Sequence, residues 1–314
     1  MRRILITGAS GLLGANLVLD AVGRYEVTPV SHQQRVEWPG VESLQADLAQ
    51  AGAASELLGL VRPDWVIHCA AATDVDACEA DPPMAFRLNR DMAGQVAMAA
   101  RSVGARLAHI STDAVFDGER GGYVEGDQPN PINVYGQSKL EGERAVRAAD
   151  PDALIVRTNI FGWTSQGKRS LAEWFVGHLE AGRGCRGFTD IFVSPILVND
   201  LSEFLFRMLE AGLQGLYHVA GGDCVSKYQF GVTIARTFGL EAELIEPVGV
   251  ETSELRAPRG RRLCLRGQRI ERELGIRLLP AREGLARFKA LREEGRPADL
   301  RQMAGVPKIE ARRI

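Results

Sequence analysis

A phenol and an ammonium four residues apart, Tyr135 and Lys139 in the run Tyr135-Gly136-Gln137-Ser138-Lys139, are the first residues here whose spacing could do chemistry. On a helix, positions i and i+4 lie one above the other on the same face. A free tyrosine has a pKa of about 10, and positive charge from Lys139 beside it brings the phenol down, toward use as proton donor and acceptor. A strand ending Ile110-Ser111-Thr112 precedes that helix.

The second chemical run is Thr7-Gly8-Ala9-Ser10-Gly11-Leu12-Leu13-Gly14, at the first strand-to-helix junction. Gly8 and Gly11 let the backbone turn tightly and approach a pyrophosphate, Gly14 lets the helix pack on the strand, and the helix N-terminus offers free N–H groups. This context predicts a dinucleotide site that includes Ser10, Leu12 and Leu13. An oxidised nicotinamide held there adds to the positive charge near Tyr135. A site selective for NAD places a carboxylate at the end of its second strand. Here the chain reads Val30-Ser31-His32-Gln33-Gln34-Arg35 instead. Ser31, His32 and Arg35 suit a 2′-phosphate, so NADP is expected, with NAD as the alternative. Asp47, next to Leu48 after the third strand, is placed for an adenine amino group. Ala70, Ala71 and Ala72 after the fourth strand let a cofactor lie against backbone, and His68 reads as a core histidine.

The elements that must position these residues alternate. Short apolar runs at 4–7, 27–30, 43–46, 65–68, 106–110 and 154–157 are separated by helical patterns at 12–22, 51–60, 84–103 and 134–149. Strands without polar alternation are buried on both faces, and the helices supply the covers. The fold class is α/β, a doubly wound parallel (Rossmann) sheet with a smaller mixed C-terminal lobe. Residues 1–160 form the nucleotide-binding domain, its sheet also receiving later segments. Residues 161–294 are mainly a substrate lobe, with helices near 171–182, 226–238 and 281–294 and a strand near 215–219. The polar stretch 295–314 is a loose tail or a docking arm.

Composition excludes several classes. A net charge of −2 over 314 residues gives no field that draws a chain to nucleic acid or an anionic membrane. Lysine is scarce, only 139, 168, 227, 289 and 308 carrying it, so a lysine within a polar motif stands out. Five scattered cysteines suit reduced, buried thiols, and no Cys-x-x-Cys pair suggests zinc or another metal. With no leader pattern and no apolar run near the roughly 20 residues of a membrane span, a cytoplasmic location is expected.

Taken in order, Thr7–Gly14, Ala46-Asp47-Leu48, His68–Thr73, Ile110–Gly118 and Tyr135–Lys139 resemble the extended short-chain dehydrogenase/reductase family over nearly the whole chain. Within it the likeness is strongest to the dTDP-4-dehydrorhamnose reductase branch, through the runs 70–79, 111–118, 135–143, 275–278 and 283–285. The resemblance implies Tyr135 as catalytic acid/base, Lys139 as holder of the nicotinamide ribose, and Thr112 as partner of the reacting oxygen. It implies a helix-bending Asn89 near the cofactor, and Thr73, Val75, Asp113, Tyr135 and Asn159 toward the substrate. The implied reaction is NADPH-dependent reduction of the 4-keto group of a nucleotide-activated deoxysugar, and the implied assembly a homodimer through a helix pair.

Departures from the branch concern the sugar pocket. Ala114 replaces a tyrosine, Ile160 stands in place of a tryptophan, and Ala257-Pro258-Arg259-Gly260 replaces an Arg-Pro-x-Asn run. Trp163 and Arg256 are substitutes or ordinary packing and surface. Ala114 also stands where the family's dehydratases carry a glutamate, which argues against dehydration. Two alternatives stay open: 4-epimerisation, and a regulatory role like that of the beta subunit of methionine adenosyltransferase.

Overall fold

The computed structural model describes residues 1–34, 36–165 and 169–305. The first half runs β1 (Arg3–Thr7), α1 (Leu12–Ala21), β2 (Glu26–Ser31), β3 (Leu44–Gln45), α2 (Ala53–Val61), β4 (Trp65–His68), α3 (Val75–Ala80), α4 (Pro82–Phe86), α5 (Met92–Ser102), β5 (Arg106–Thr112), α6 (Val134–Ala149) and β6 (Leu154–Thr158). The second half runs β7 (Ile160–Phe161), α7 (Leu171–Glu180), β8 (Cys185–Phe188), β9 (Phe192–Val193), β10 (Ile196–Leu197), α8 (Val198–Glu210), β11 (Gly215–His218), β12 (Val225–Ser226), α9 (Lys227–Phe238), β13 (Ile245–Val248), α10 (Gln268–Leu274), α11 (Ala281–Glu293) and α12 (Arg296–Met303).

Seven parallel strands form the central sheet in the order β11-β6-β5-β4-β1-β2-β3. Every residue of β4 and β6 is buried, which is why these strands read as unbroken apolar runs. One face is covered by α2, α5 and α6, with Leu58, Val96 and Val146 at their contact. The other is covered by α1 and α8 and continues without a break into the second half, where Phe161 meets Phe230 and Phe288 edge to face. The two halves therefore share one core. The chain lays down β1, β2 and β3 in one direction and then crosses back to β4, so the strand order reverses between β1 and β4. In such sheets the crevice outside the carboxyl ends at that reversal is where ligands bind.

Three local readings change. The helix expected over 84–103 is broken by a π-helical turn, Arg87–Asp91, because Asn89 spends its side chain on other elements. The polar stretch expected as a loose tail or a docking arm supplies α12, which is not loose: its Leu300 and Met303 are fully buried and its Arg296 pairs with Asp20 at 2.7 Å. Two apolar side chains three apart suffice to dock it on α1, which average polarity conceals. Residues 306–314 lie outside the described residues. Cys224 and Cys264 are joined by a disulfide, while Cys69, Cys78 and Cys185 are free, so the expectation of five reduced thiols fails for that pair. No helix among the described residues is long and apolar enough to cross a membrane.

Candidate active site

At the end of β1 the chain turns through Gly8, whose φ of +65° belongs to glycine and whose absent side chain lets Ala70 N come within 2.7 Å of where a Cβ would stand. Gly14 is tighter: a Cβ there would meet the Gly8 carbonyl oxygen at 2.2 Å. α1 begins with no side-chain cap and no acidic residue in its first turn, leaving its leading N–H groups to a ligand. Thr7 Oγ1 holds the ends of β1 and β4 together, 2.7 Å from His68 Nδ1 and accepting from Ala70 N at 3.2 Å. His68 is the core histidine expected, and burial holds its pKa down to about 3.

One cavity of about 800 Å³ runs from this turn across the ends of the strands. Its first half is lined by Gly8, Ser10, Gly11, Leu12, Leu13, Gly14, Ser31, His32, Asp47, Leu48, Ala70 and Ala71, all expected there. Ser31 Oγ is buried without a hydrogen-bond partner among the described residues, at the end of β2 where a ribose or its phosphate would arrive. The glycine cradle and this orphaned hydroxyl fit a dinucleotide. Asp47 accepts from Ala49 N at 3.1 Å, and His32 lies 3.8 Å from it. Arg35 falls outside the described residues.

Ala72 and Asn89, also expected to touch a cofactor, do not line the cavity. Asn89 is buried and accepts from Ala72 N at 2.8 Å while donating to Ala72 O at 3.0 Å and to Ser138 Oγ at 2.9 Å. It pins the loop after β4 to α6 from behind. A Cβ on Gly142 of α6 would meet the Asn89 carbonyl at 2.1 Å, so the bulged turn and the helix are fitted to each other.

Thr112, Tyr135 and Lys139 meet at the middle of the cavity. Asn133 caps α6 by accepting from Gly136 N at 2.8 Å, and Gly136 leaves room for the Ala114 carbonyl, 2.1 Å from where a Cβ would be. That approach sets Tyr135 beside Thr112. Burial pushes the Tyr135 phenol up to about 12, against a bond with the Thr112 hydroxyl that pulls the other way, and the nearby Asp113 adds to the rise. The expected lowering by Lys139 is absent: Lys139 Nζ donates to Ile110 O at 2.7 Å and is itself pushed down to about 8 by burial, with Glu143 opposing. Glu143 is in turn gripped by Arg157 at 2.7 and 2.8 Å.

In the second half of the cavity stand Thr73, Val75, Asp113 and Asn159, all expected. Burial raises Asp113 to about 6, although it accepts from Asn159 Nδ2 at 2.7 Å and Thr112 Oγ1 at 3.1 Å. Trp163 is packing: it stacks on Phe288 and donates to its carbonyl at 2.9 Å. Arg256 is exposed and away from the cavity. Sequence reasoning missed Lys227 and Arg259 as lining residues, together with Ile191, Val193 and Leu263. Lys227 had a signal, as a scarce lysine at the start of a helix announced by the Ser226/Gln229 capping box, but nothing in the sequence says which way it points.

A parallel sheet in this order, a glycine turn at its first strand-to-helix junction and a Thr/Tyr/Lys set at the strand ends define an oxidoreductase of the extended short-chain dehydrogenase/reductase class. Within that class the chain belongs to the family described as RmlD substrate binding domain, whose model matches residues 1–292. It is 36% identical to the probable low-salt glycan biosynthesis reductase of Haloferax volcanii, over 91% of this chain and 96% of that one. It is 35% identical to the dTDP-4-dehydrorhamnose reductase of Mycobacterium tuberculosis, over 82% of each. It is 31% identical to methionine adenosyltransferase 2 subunit beta of Bos taurus, over 88% of this chain and 83% of that one. Among solved structures, dTDP-4-dehydrorhamnose reductase of Bacillus anthracis in complex with NADP superposes with a TM-score of 0.83 at 29% identity, covering 92% of this chain and 99% of that one.

Proposed function

We propose that this chain reduces the 4-keto group of a nucleotide-activated deoxysugar with NADPH, as a dTDP-4-dehydrorhamnose reductase does. The observation that carries the reading is the meeting of Thr112 and Tyr135 where the glycine-lined and substrate halves of one cavity join. NADPH, when bound, supplies the hydride. Gly8, Gly11 and Gly14 with the start of α1 hold its pyrophosphate, Ser31 and His32 its 2′-phosphate, and Lys139 its nicotinamide ribose. A phenol held up to about 12 stays protonated at neutral pH, so Tyr135 has a proton to give to the oxygen of the reduced carbonyl, while the Thr112 hydroxyl turns its one proton from Asp113 to the same oxygen. Thr73, Val75, Asp113 and Asn159 line the place where the sugar lies.

The test is NADPH oxidation by the purified chain with dTDP-4-dehydrorhamnose and then a panel of other 4-keto sugar nucleotides. Turnover is expected with at least one, and Tyr135→Phe loses about 10²–10⁴-fold in kcat while still binding NADPH. No oxidation across the panel overturns the reading. A second reading, a cofactor-binding subunit without turnover, is supported by the likeness to methionine adenosyltransferase 2 subunit beta. It predicts NADPH binding without oxidation in every assay, and the intact Thr112, Tyr135 and Lys139 set favours the enzyme.

A further inference from the structure

Two cations face the substrate half of the cavity, and the structure treats them differently. Arg259 is neutralised: its guanidinium lies 3.0 Å from Asp76 and donates to Ala257 O at 2.7 Å. The Lys227 ammonium forms no hydrogen bond or ion pair with any described residue, and it sits 5.7 Å from the centre of the Phe188 ring. Burial and the neighbouring Arg259 both push its pKa down, while Asp113 across the cavity pulls it up. Asp113 is no full counter-ion, since it is already committed to Asn159 and Thr112. A partly desolvated ammonium beside a second cation, without a carboxylate in hydrogen-bond reach, is costly unless an anion arrives with the ligand.

The walls around it say where that anion lies. Lys227 opens α9 directly after β12, and its backbone N–H donates to Ile191 O at 2.9 Å, which draws the side chain's root against β9. Ile191, Val193 and Leu263 form an apolar surround, so the charge acts through a medium less screening than water. With the ketone at Tyr135, the anionic group on the substrate that can meet the unpaired Lys227 is the diphosphate. We propose that Lys227, with Arg259 beside it, binds the diphosphate of the substrate and so selects a nucleotide-activated sugar over the free sugar. This rests on the reading given under Proposed function.

The experiment is calorimetric titration of thymidine diphosphate and of inorganic pyrophosphate into the full-length protein loaded with NADPH, for wild type, Lys227→Met and Lys227→Arg, with steady-state kinetics on the sugar nucleotide. Loss of a charge-assisted bond predicts thymidine diphosphate binding weaker by about 10–100-fold in Lys227→Met. KM rises in step, kcat stays within about threefold, and Lys227→Arg recovers most of the affinity because it restores the charge. NADPH affinity stays at the wild-type value in both variants, and without the diphosphate ligand the thermal midpoint of Lys227→Met is no lower than that of wild type, because the change removes an unpaired charge. Thymidine diphosphate affinity within about twofold of wild type in Lys227→Met overturns the inference alone, as does an arginine variant as impaired as the methionine one. A wild-type protein that takes up NADPH but neither thymidine diphosphate nor pyrophosphate overturns both the inference and the reading it rests on.

Discussion

The two ends of the cavity are built on opposite principles. The end at β1 and β2 is made of backbone: glycines set by a positive φ and by approaches of 2.2–2.7 Å at absent Cβ atoms, a helix start without a side-chain cap, and one orphaned hydroxyl. The other end is made of side chains from the end of β5 and the residue after it, the residue after β6, the start of α9 and the loop before Cys264, and it carries charge in buried Asp113 and half-buried Lys227. A backbone site tolerates no added atom. A side-chain site tolerates exchange at its individual positions.

The largest effect that could break this contrast is at Gly14. Substitution by alanine puts a methyl against the rigid Gly8 carbonyl, costing about 3 kcal/mol or more, which is over about 100-fold in NADPH affinity if all of it falls on the turn. Fluorescence titration of NADPH reads this directly; an alanine variant that binds as wild type would show the cradle to be pliable. Next is the disulfide, which ties the segment before Lys227 to the one after Leu263 across a sequence separation of 40. Reduction, or Cys224→Ala, should lower unfolding free energy by about 2–4 kcal/mol, seen as an earlier denaturant midpoint. An unchanged midpoint under reductant contradicts a staple on the substrate side.

Smaller, on the order of 1–3 kcal/mol, is the linkage at Asp113. Its folded pKa, about 6, lies above its ordinary value, so the stability it contributes is complete below pH ~4 and is lost as pH rises through about 6. Asp113→Asn should therefore be more stable than wild type at pH 8 and lose that advantage toward pH 4. The opposite trend, wild type gaining on the variant as pH rises, would mean the carboxylate is well solvated. His68 has the reverse sign: its pKa falls to about 3, so its contribution is present above pH ~6.5 and drains away on acidification.

The same contrast decides how much could be read from residues alone. The glycine turn, the buried strands and the Tyr135/Lys139 helix were legible because local sequence dictates them: glycine spacing, apolar runs and i,i+4 geometry are short-range facts. Thr73, Val75, Asp113 and Asn159 came through family likeness, and each lines the cavity. Lys227, Arg259 and Leu263 were not legible as a group, because they converge only after the second half folds back over the sheet. Asn89 and Ala72, expected near a cofactor from family likeness and from the end of the fourth strand respectively, are joined by hydrogen bonds that brace the loop after β4, a pairing no local pattern announces. Tyr135 and Lys139 line one cavity, as their i,i+4 spacing implies, but the spacing alone does not reveal that the Ile110 carbonyl of β5 takes the Lys139 ammonium. Between a loose tail and a docking arm the composition of 295–314 does not choose, because the two buried side chains that dock α12 are hidden in a polar average.

The central claim is that the two ends serve one reaction, with reducing equivalents from the backbone-built end and a proton from Tyr135 at the junction. Its most direct test is isotope transfer, using NADPH deuterated at the reactive nicotinamide carbon and dTDP-4-dehydrorhamnose, with the product analysed by NMR and mass spectrometry. The account predicts deuterium on the former ketone carbon, one label per NADPH consumed, with transfer lost in Tyr135→Phe. Interconversion of sugars with no label and no net NADPH consumption would instead mark an epimerase and contradict it.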